Sequence, residues 1–172
     1  TWSERDRIEA LVASGVSVAF LAGNNAYWNI RLSPGASTAE PGGTITCWKR
    51  GAADPEATAV SNVTTRFREA PLNRPENSLT GVMYTSITPL GLGPDFVGSP
   101  LARHPFGAGA FLSTANIHEG ESLGVHLGGE GDGIVNNGLT PVNLEVLLQS
   151  IVRLPGIATP HEEDAVFFRT PA

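Results

Sequence analysis

The chain has 172 residues, with 17 acidic and 11 basic side chains and a formal net charge of −6. A domain of this length buries about two-thirds of its unfolded surface, and a 41% hydrophobic content is ample for one core, so a single domain over 1–172 is expected. The acidic balance lacks the footprint that phosphate backbones or anionic lipids require, and the longest apolar runs, such as Val18 to Ala22, fall far short of the ~20 residues of a membrane span; nucleic acid and membrane are excluded as expected partners.

The opening Thr1-Trp2-Ser3-Glu4 has no initiator Met and none of the basic and apolar regions of a signal peptide. It reads as a processed chain, or else as a trimmed fragment. If cleavage exposes Thr1, its α-amino group, with a reference pKa of about 7.7 to 8.0, can act as base for its own hydroxyl, as in N-terminal-nucleophile hydrolases. The alternative is that Thr1 and Ser3 simply form the polar entry to a helix.

Ser3 with Asp6 gives a capping signal, and Ile8, Leu11 and Val12 recur at helical spacing until Gly15, predicting a helix from about Glu4 to Ser14. Val16, Val18, Phe20 and Leu21 then predict a buried strand that delivers Ala22-Gly23-Asn24-Asn25 at its carboxyl end, the edge where open α/β sheets bind ligands. Asn24, Asn25 and Tyr27 at this turn can supply hydrogen-bond donors to a carbonyl oxygen, or a phenolate to a metal. Equally, they can be Asx-turn residues, with Tyr27 and Trp28 packed beside the sheet.

Ser33 to Gly43 reads as a loop and Thr44 to Arg50 as a strand. Cys47 is the only cysteine, which rules out an internal disulfide and leaves the compartment open between cytoplasmic and exported. Asp54-Pro55 marks a turn, Val63 to Arg68 and Gly81 to Ser86 are strand candidates, and Pro75 to Ser78 is a turn or a short helix start. Pro89 to Gly109, rich in Gly and Pro, predicts a long surface excursion.

Ala110 to Thr114 is a strand candidate running into Asn116-Ile117-His118-Glu119-Gly120. His118-Glu119 at a strand end suits an acid/base pair, with a loop histidine beside an exposed neighbour as the alternative. Gly128 to Gly133 lacks the strand-and-helix setting of a dinucleotide or P-loop site, and no Gly-Lys-Ser/Thr occurs. Its Glu130 and Asp132 read as a solvated turn, because a calcium loop supplies more oxygen ligands. Pro141 with Leu144, Leu147, Leu148, Ile151 and Leu154 predicts an amphipathic helix ended by Pro155-Gly156. His161-Glu162-Glu163-Asp164 reads as a solvated charge run, and Val166 to Arg169 as a short terminal strand.

Several blocks together carry a family resemblance: Arg5-Asp6, the run from Gly15 to Arg31, Cys47-Trp48-Lys49, Asp54-Pro55, Thr64 to Arg68, Asn73 to Tyr84 and Gly107-Ala108-Gly109. Over about Thr1 to Thr114 the sequence resembles the carboxyl-terminal region of the large (β) subunit of N,N-dimethylformamidase and its relatives. The resemblance implies an open three-layer α/β sheet of the class I glutamine amidotransferase type, with irregular β-rich insertions. In that family a strand leads into Glu-Tyr-Trp followed by Ser or Thr. Register from Arg5 and Gly15 puts Thr1 at that Ser/Thr, so the sheet would be incomplete at its N-terminal side. The chain is then expected to be the C-terminal part of a larger protein, with an upstream segment or subunit as partner.

The amidase members are similar in holding mononuclear iron through two tyrosines and a glutamate. One tyrosine would lie upstream and the other matches Tyr27, while the segment before Phe67-Arg68 offers Asn62, Val63 and Thr64 where the glutamate is expected. The implied activity is hydrolysis of a C–N amide bond in a small substrate, with Tyr27, Asn24 and Asn25 beside the reacting group, His118 or Glu119 carrying the proton, and Thr1 as nucleophile after processing. The alternative is a noncatalytic α/β scaffold or binding module of an exported multidomain protein.

Overall fold

The computed structural model describes residues 1–34, 43–87, 95–98, 122–126, 130–152 and 161–170. Its first element, α1 (Trp2–Ala13), is closed by a reciprocal capping box between Thr1 and Glu4, ahead of the cap expected at Ser3. Gly15, at φ +90°, ends the helix where the sequence places the stop. Trp2 packs against the buried cluster Val63, Phe67 and Leu72. Arg5 is buried beside it, donating to the Pro75 carbonyl and the Ser78 hydroxyl at 3.0 Å each. That bonding welds α1 to the Arg74-Pro75-Glu76 block, so the core is built from the helix and the irregular chain between 51 and 81.

The expected buried strand after α1 is not formed. Residues 16–20 belong to no helix or ladder, and Val16 is 47% and Leu21 93% exposed. A short apolar run reads the same whether it is buried or still lacks a neighbour, and no described strand lies alongside to cover it. Next come β1 (Arg31–Ser33) and β2 (Thr44–Thr46), an antiparallel pair. β2 stops short of the expected Arg50, the chain turning at Lys49 with φ +63°.

Residues 63–68 are not a strand either; they make one isolated bridge, Trp28 to Arg66. The hydroxyls explain this: Thr64 donates to Asp54 at 2.7 Å and Thr65 to Glu69 at 2.8 Å, so side chains rather than a ladder fix the segment. The short helix α2 (Asn77–Thr80) follows and ends at Gly81, φ +83°. A Cβ there would lie 2.9 Å from both Leu144 Cδ1 and Val166 Cγ2, so only glycine fits.

β3 (Met83–Ile87) pairs antiparallel with β6 (Glu130–Gly133), which replaces the solvated turn expected at Glu130 and Asp132. β4 (Asp95–Gly98) lies inside the expected Pro89 to Gly109 excursion, and β5 (Ser122–His126), β4, β7 (Glu145–Val152) and β8 (His161–Phe167) form a four-stranded sheet in that order. Where a helix is expected from Pro141 to Leu154, residues 145–152 form a strand instead, and 153–154 lie outside the described residues. β7 pairs with β8 from Glu145↔Phe167 to Val152↔His161 across one bulge, and this pairing, with β-branched Val146, Ile151 and Val152, overrides a leucine spacing compatible with either state. The charge run at 161–164 is part of β8. Its Asp164 is 6% exposed and accepts from the Ile134 amide and Gln149 Nε2 at 3.1 Å each.

The architecture is thus a mixture of small helices and short antiparallel sheets, open and not closed into a barrel. It agrees with the expected open α/β form, but the three-layer order is not formed among the described residues, whose ladders are all antiparallel. Among those residues no helix is long and apolar enough to cross a membrane. The expected strand from Ala110 to Thr114 lies outside the described residues.

Candidate functional site

The turn at 23–27 carries two of the four left-handed non-glycine residues among those described. Asn24 and Ala26 both adopt left-handed conformations, at φ +58° and +53°, which L residues other than glycine hold only when surroundings over-determine them. On one side the turn rests on β6. The Asn24 amide N–H donates to both carboxylate oxygens of Asp132, at 3.2 and 3.1 Å, and the Asn24 side-chain amide donates to Glu130. On the other side the Phe67 amide donates to the Tyr27 carbonyl at 2.8 Å, and the Asn29 amide to the Thr65 carbonyl at 2.9 Å.

The sequence reading offers Asn24 and Asn25 as donors toward a substrate oxygen. One donor of each is engaged within the protein, Asn24 with Glu130 and Asn25 with the Ala22 carbonyl. Each amide nitrogen carries a second hydrogen. The Asn24 side-chain oxygen is buried and has no donor among the described residues, an acceptor that a ligand N–H can satisfy.

Both tyrosines of the chain meet here. The rings of Tyr27 and Tyr84 lie 5.4 Å apart, and Trp28 stands edge-on to Tyr27 at 5.0 Å. The Arg68 guanidinium sits 5.1 Å from the centre of the Tyr27 ring. With its Nε 3.0 Å from both carboxylate oxygens of buried Glu76, and its Nη1 3.1 Å from the Tyr84 carbonyl, Arg68 ties the aromatic pair to α2. Arg66 Nη1 donates to the Tyr27 hydroxyl at 3.4 Å. Its partner Glu69, and then the Tyr27 hydroxyl, hold the Arg66 pKa above its usual value, and Arg66 in turn holds the Glu69 carboxyl below the carboxylate range. Burial pushes the Asp132 carboxyl the other way, upward, against the bond from Asn24.

Asn24, Asn25 and Tyr27 are therefore brought together. Thr1 is not in described contact with them: its hydroxyl accepts from the Glu4 amide at 3.3 Å and donates to the Glu4 carboxylate at 2.9 Å, as a helix cap. His118 and Glu119 lie outside the described residues. Sequence reasoning missed Arg66, Arg68, Glu76, Tyr84 and Asp132. A usable signal was the pair of arginines flanking the apolar Phe67, both of which reach Tyr27.

Among the described residues no three His, Cys, Asp or Glu side chains converge as a metal shell. The described neighbour of the Tyr27 oxygen is a guanidinium, which donates and repels a cation. The described residues do not by themselves fit an iron centre, and no chemical step is derived through one.

A family model described as N,N-dimethylformamidase beta subunit-like, C-terminal, matches residues 1–172. Comparison with curated proteins and with solved structures finds no match.

Proposed function

The chain belongs to the N,N-dimethylformamidase beta subunit-like, C-terminal family, and from that premise we propose that it contributes to a hydrolase cleaving the C–N amide bond of a small substrate. The observation that carries this reading is the Tyr27 hydroxyl beside Arg66 at 3.4 Å, on a turn with two left-handed non-glycine residues. Backbone strain held in place by surrounding bonds collects where geometry must be fixed in advance.

In this reading the Tyr27 hydroxyl and the remaining amide hydrogens of Asn24 and Asn25 stabilise the oxyanion that forms when the carbonyl is attacked, an effect of about 3 kcal/mol per donor. Arg66, donating to Tyr27, makes that phenol a stronger donor. His118 or Glu119 takes the proton of the attacking group and passes it to the leaving amine. Attack is by water, with the Thr1 hydroxyl as the second candidate; Thr1→Ala with undiminished turnover removes it.

We further propose that an upstream segment or subunit completes the sheet, giving the three-layer, amidotransferase-type order. The largely exposed, unpaired apolar run at 16–22 supports this, since it has the composition of an inner strand without a neighbour.

A noncatalytic scaffold is the second reading. One observation favours it: the described bonds of the Asn24 and Asn25 side chains run inward, to Glu130 and Ala22. Amine release from a panel of formamide-type substrates, by the chain assembled with its upstream portion, separates the two. The expected result is turnover that Tyr27→Phe lowers by about 100-fold. No turnover across the panel, with and without added iron(II), overturns the hydrolase reading.

A further inference from the structure

We propose that Asp132 is the positioning residue of the Asn24–Tyr27 turn, its carboxylate holding the Asn24 amide and thereby the left-handed backbone that sets Tyr27 against Arg66 and Arg68. The proposal rests on the reading that this turn is the working part of the site, and it assigns a role to a residue that the sequence places in a solvated turn.

Three observations converge on it. Asp132 stands on β6 directly opposite Tyr84 in the β3 ladder, so a rigid pair of strands carries both the clamp and the aromatic partner of Tyr27. Both its carboxylate oxygens lie within 3.2 Å of the Asn24 amide nitrogen, and that residue opens the strained stretch. Glu130, two residues earlier and on the same face of β6, takes the Asn24 side chain. One strand thus grips Asn24 by backbone and side chain together, while the Phe67 amide holds the Tyr27 carbonyl from the other side. Release of the Asp132 grip removes the backbone hold on Asn24 and leaves the left-handed stretch to the Glu130 bond on one side and the Phe67 amide on the other.

The clamp is strongest with Asp132 ionised, because a charged acceptor makes the stronger bond. The groups that face it pull in both directions: burial and the charges of Glu76 and Glu130 favour the protonated form, and the Asn24 amide and Arg68 favour the carboxylate. Burial is the largest of these, so the clamp loosens on acidification at a higher pH than an exposed aspartate would.

Amide hydrogen exchange of the whole chain, followed on peptides covering 22–28 from pH 5 to 8, tests the proposal without any substrate. In the unaltered protein the protection factor of this stretch is expected to fall as pH drops. Asp132→Ala should lower it about tenfold, the equivalent of one charge-assisted bond, while α1 and the β7–β8 pair keep theirs. Asp132→Asn retains an acceptor and the fold but cannot titrate, so its protection should be intermediate and independent of pH. Unchanged protection at 22–28 in Asp132→Asn at every pH, or a loss spread equally through α1 and β7–β8, overturns the proposal. If the turn loosens as expected and no amide substrate is ever hydrolysed, the positioning role stands and the hydrolase reading falls.

Discussion

The guanidinium of Arg68 does two things at once: it lies 5.1 Å from the centre of the Tyr27 ring and binds buried Glu76 through Nε at 3.0 Å to each carboxylate oxygen. Glu76 is 2% exposed, so removing its charge leaves a cation facing a dry interior. Glu76→Gln is expected to destabilise the protein by about 3 kcal/mol. Arg68→Leu should cost at least as much as Glu76→Ala, because it strands the more deeply buried charge, the Glu76 carboxylate at 2% exposure against 22% for Arg68. Thermal unfolding of both variants, monitored by far-UV circular dichroism, measures the order.

Asp54 gives a pH dependence of defined sign. Its carboxyl, out of solvent, is held well below the ordinary value of 3.8, chiefly by Arg31 and also by the hydroxyl and amide of Thr64 and the amide of Glu56. The depressed value in the folded state means that its contribution is complete above the unfolded pKa near 3.8 and is lost as pH falls below it. Denaturant midpoints between pH 5 and pH 2.5 should therefore fall steeply in the unaltered protein and more shallowly in Asp54→Asn, which begins less stable. Parallel curves would show that Asp54 does not govern the acid limb.

Ala26 has a side chain where glycine is the natural occupant, φ being +53°. The left-handed conformation costs an alanine about 1–2 kcal/mol, and glycine loses about 0.5–1 kcal/mol through its more disordered unfolded chain. Ala26→Gly should raise stability by up to about 1 kcal/mol. If the strain serves the site, turnover or ligand affinity falls in the same variant, and urea titration alongside the amide panel reads both effects.

The exposed run at 16–22 predicts self-association. Leu21 at 93% exposure and Val16 at 47% on an unladdered backbone offer a site for pairing with another strand. Leu21→Asp should lower the weight-average mass in sedimentation at high concentration without lowering the unfolding temperature.

Local chemistry decides how much of this was legible in the sequence. The helix at the start was readable because Gly15 and the Ile8, Leu11, Val12 spacing are local signals, and β3 because its β-branched and aromatic residues are contiguous. β7 was misread as a helix because Leu147, Leu148 and Ile151 fit either periodicity, and only the pairing with β8, from Glu145↔Phe167 to Val152↔His161, decides between them. At the site, Asn24, Asn25 and Tyr27 stood out as polar groups after an apolar run. Asp132 could not, since it lies 108 positions from Asn24, and nothing in Gly-Glu-Gly-Asp-Gly says which strand will bring it back.

The hub at Asp54 joins stretches of chain that are otherwise separate. Arg31, Thr64 and the Glu56 amide all converge on its carboxylate, and Asn29, wholly buried, reaches the carbonyls of Ser61 and Val63. The intervening residues 55–62 are all exposed. A protease that cut the polypeptide there would sever it without separating it, because contacts on both sides of the nick pass through Asp54 and Asn29. The two pieces would travel as one particle, with Tyr27 and Arg66 still facing each other across the break.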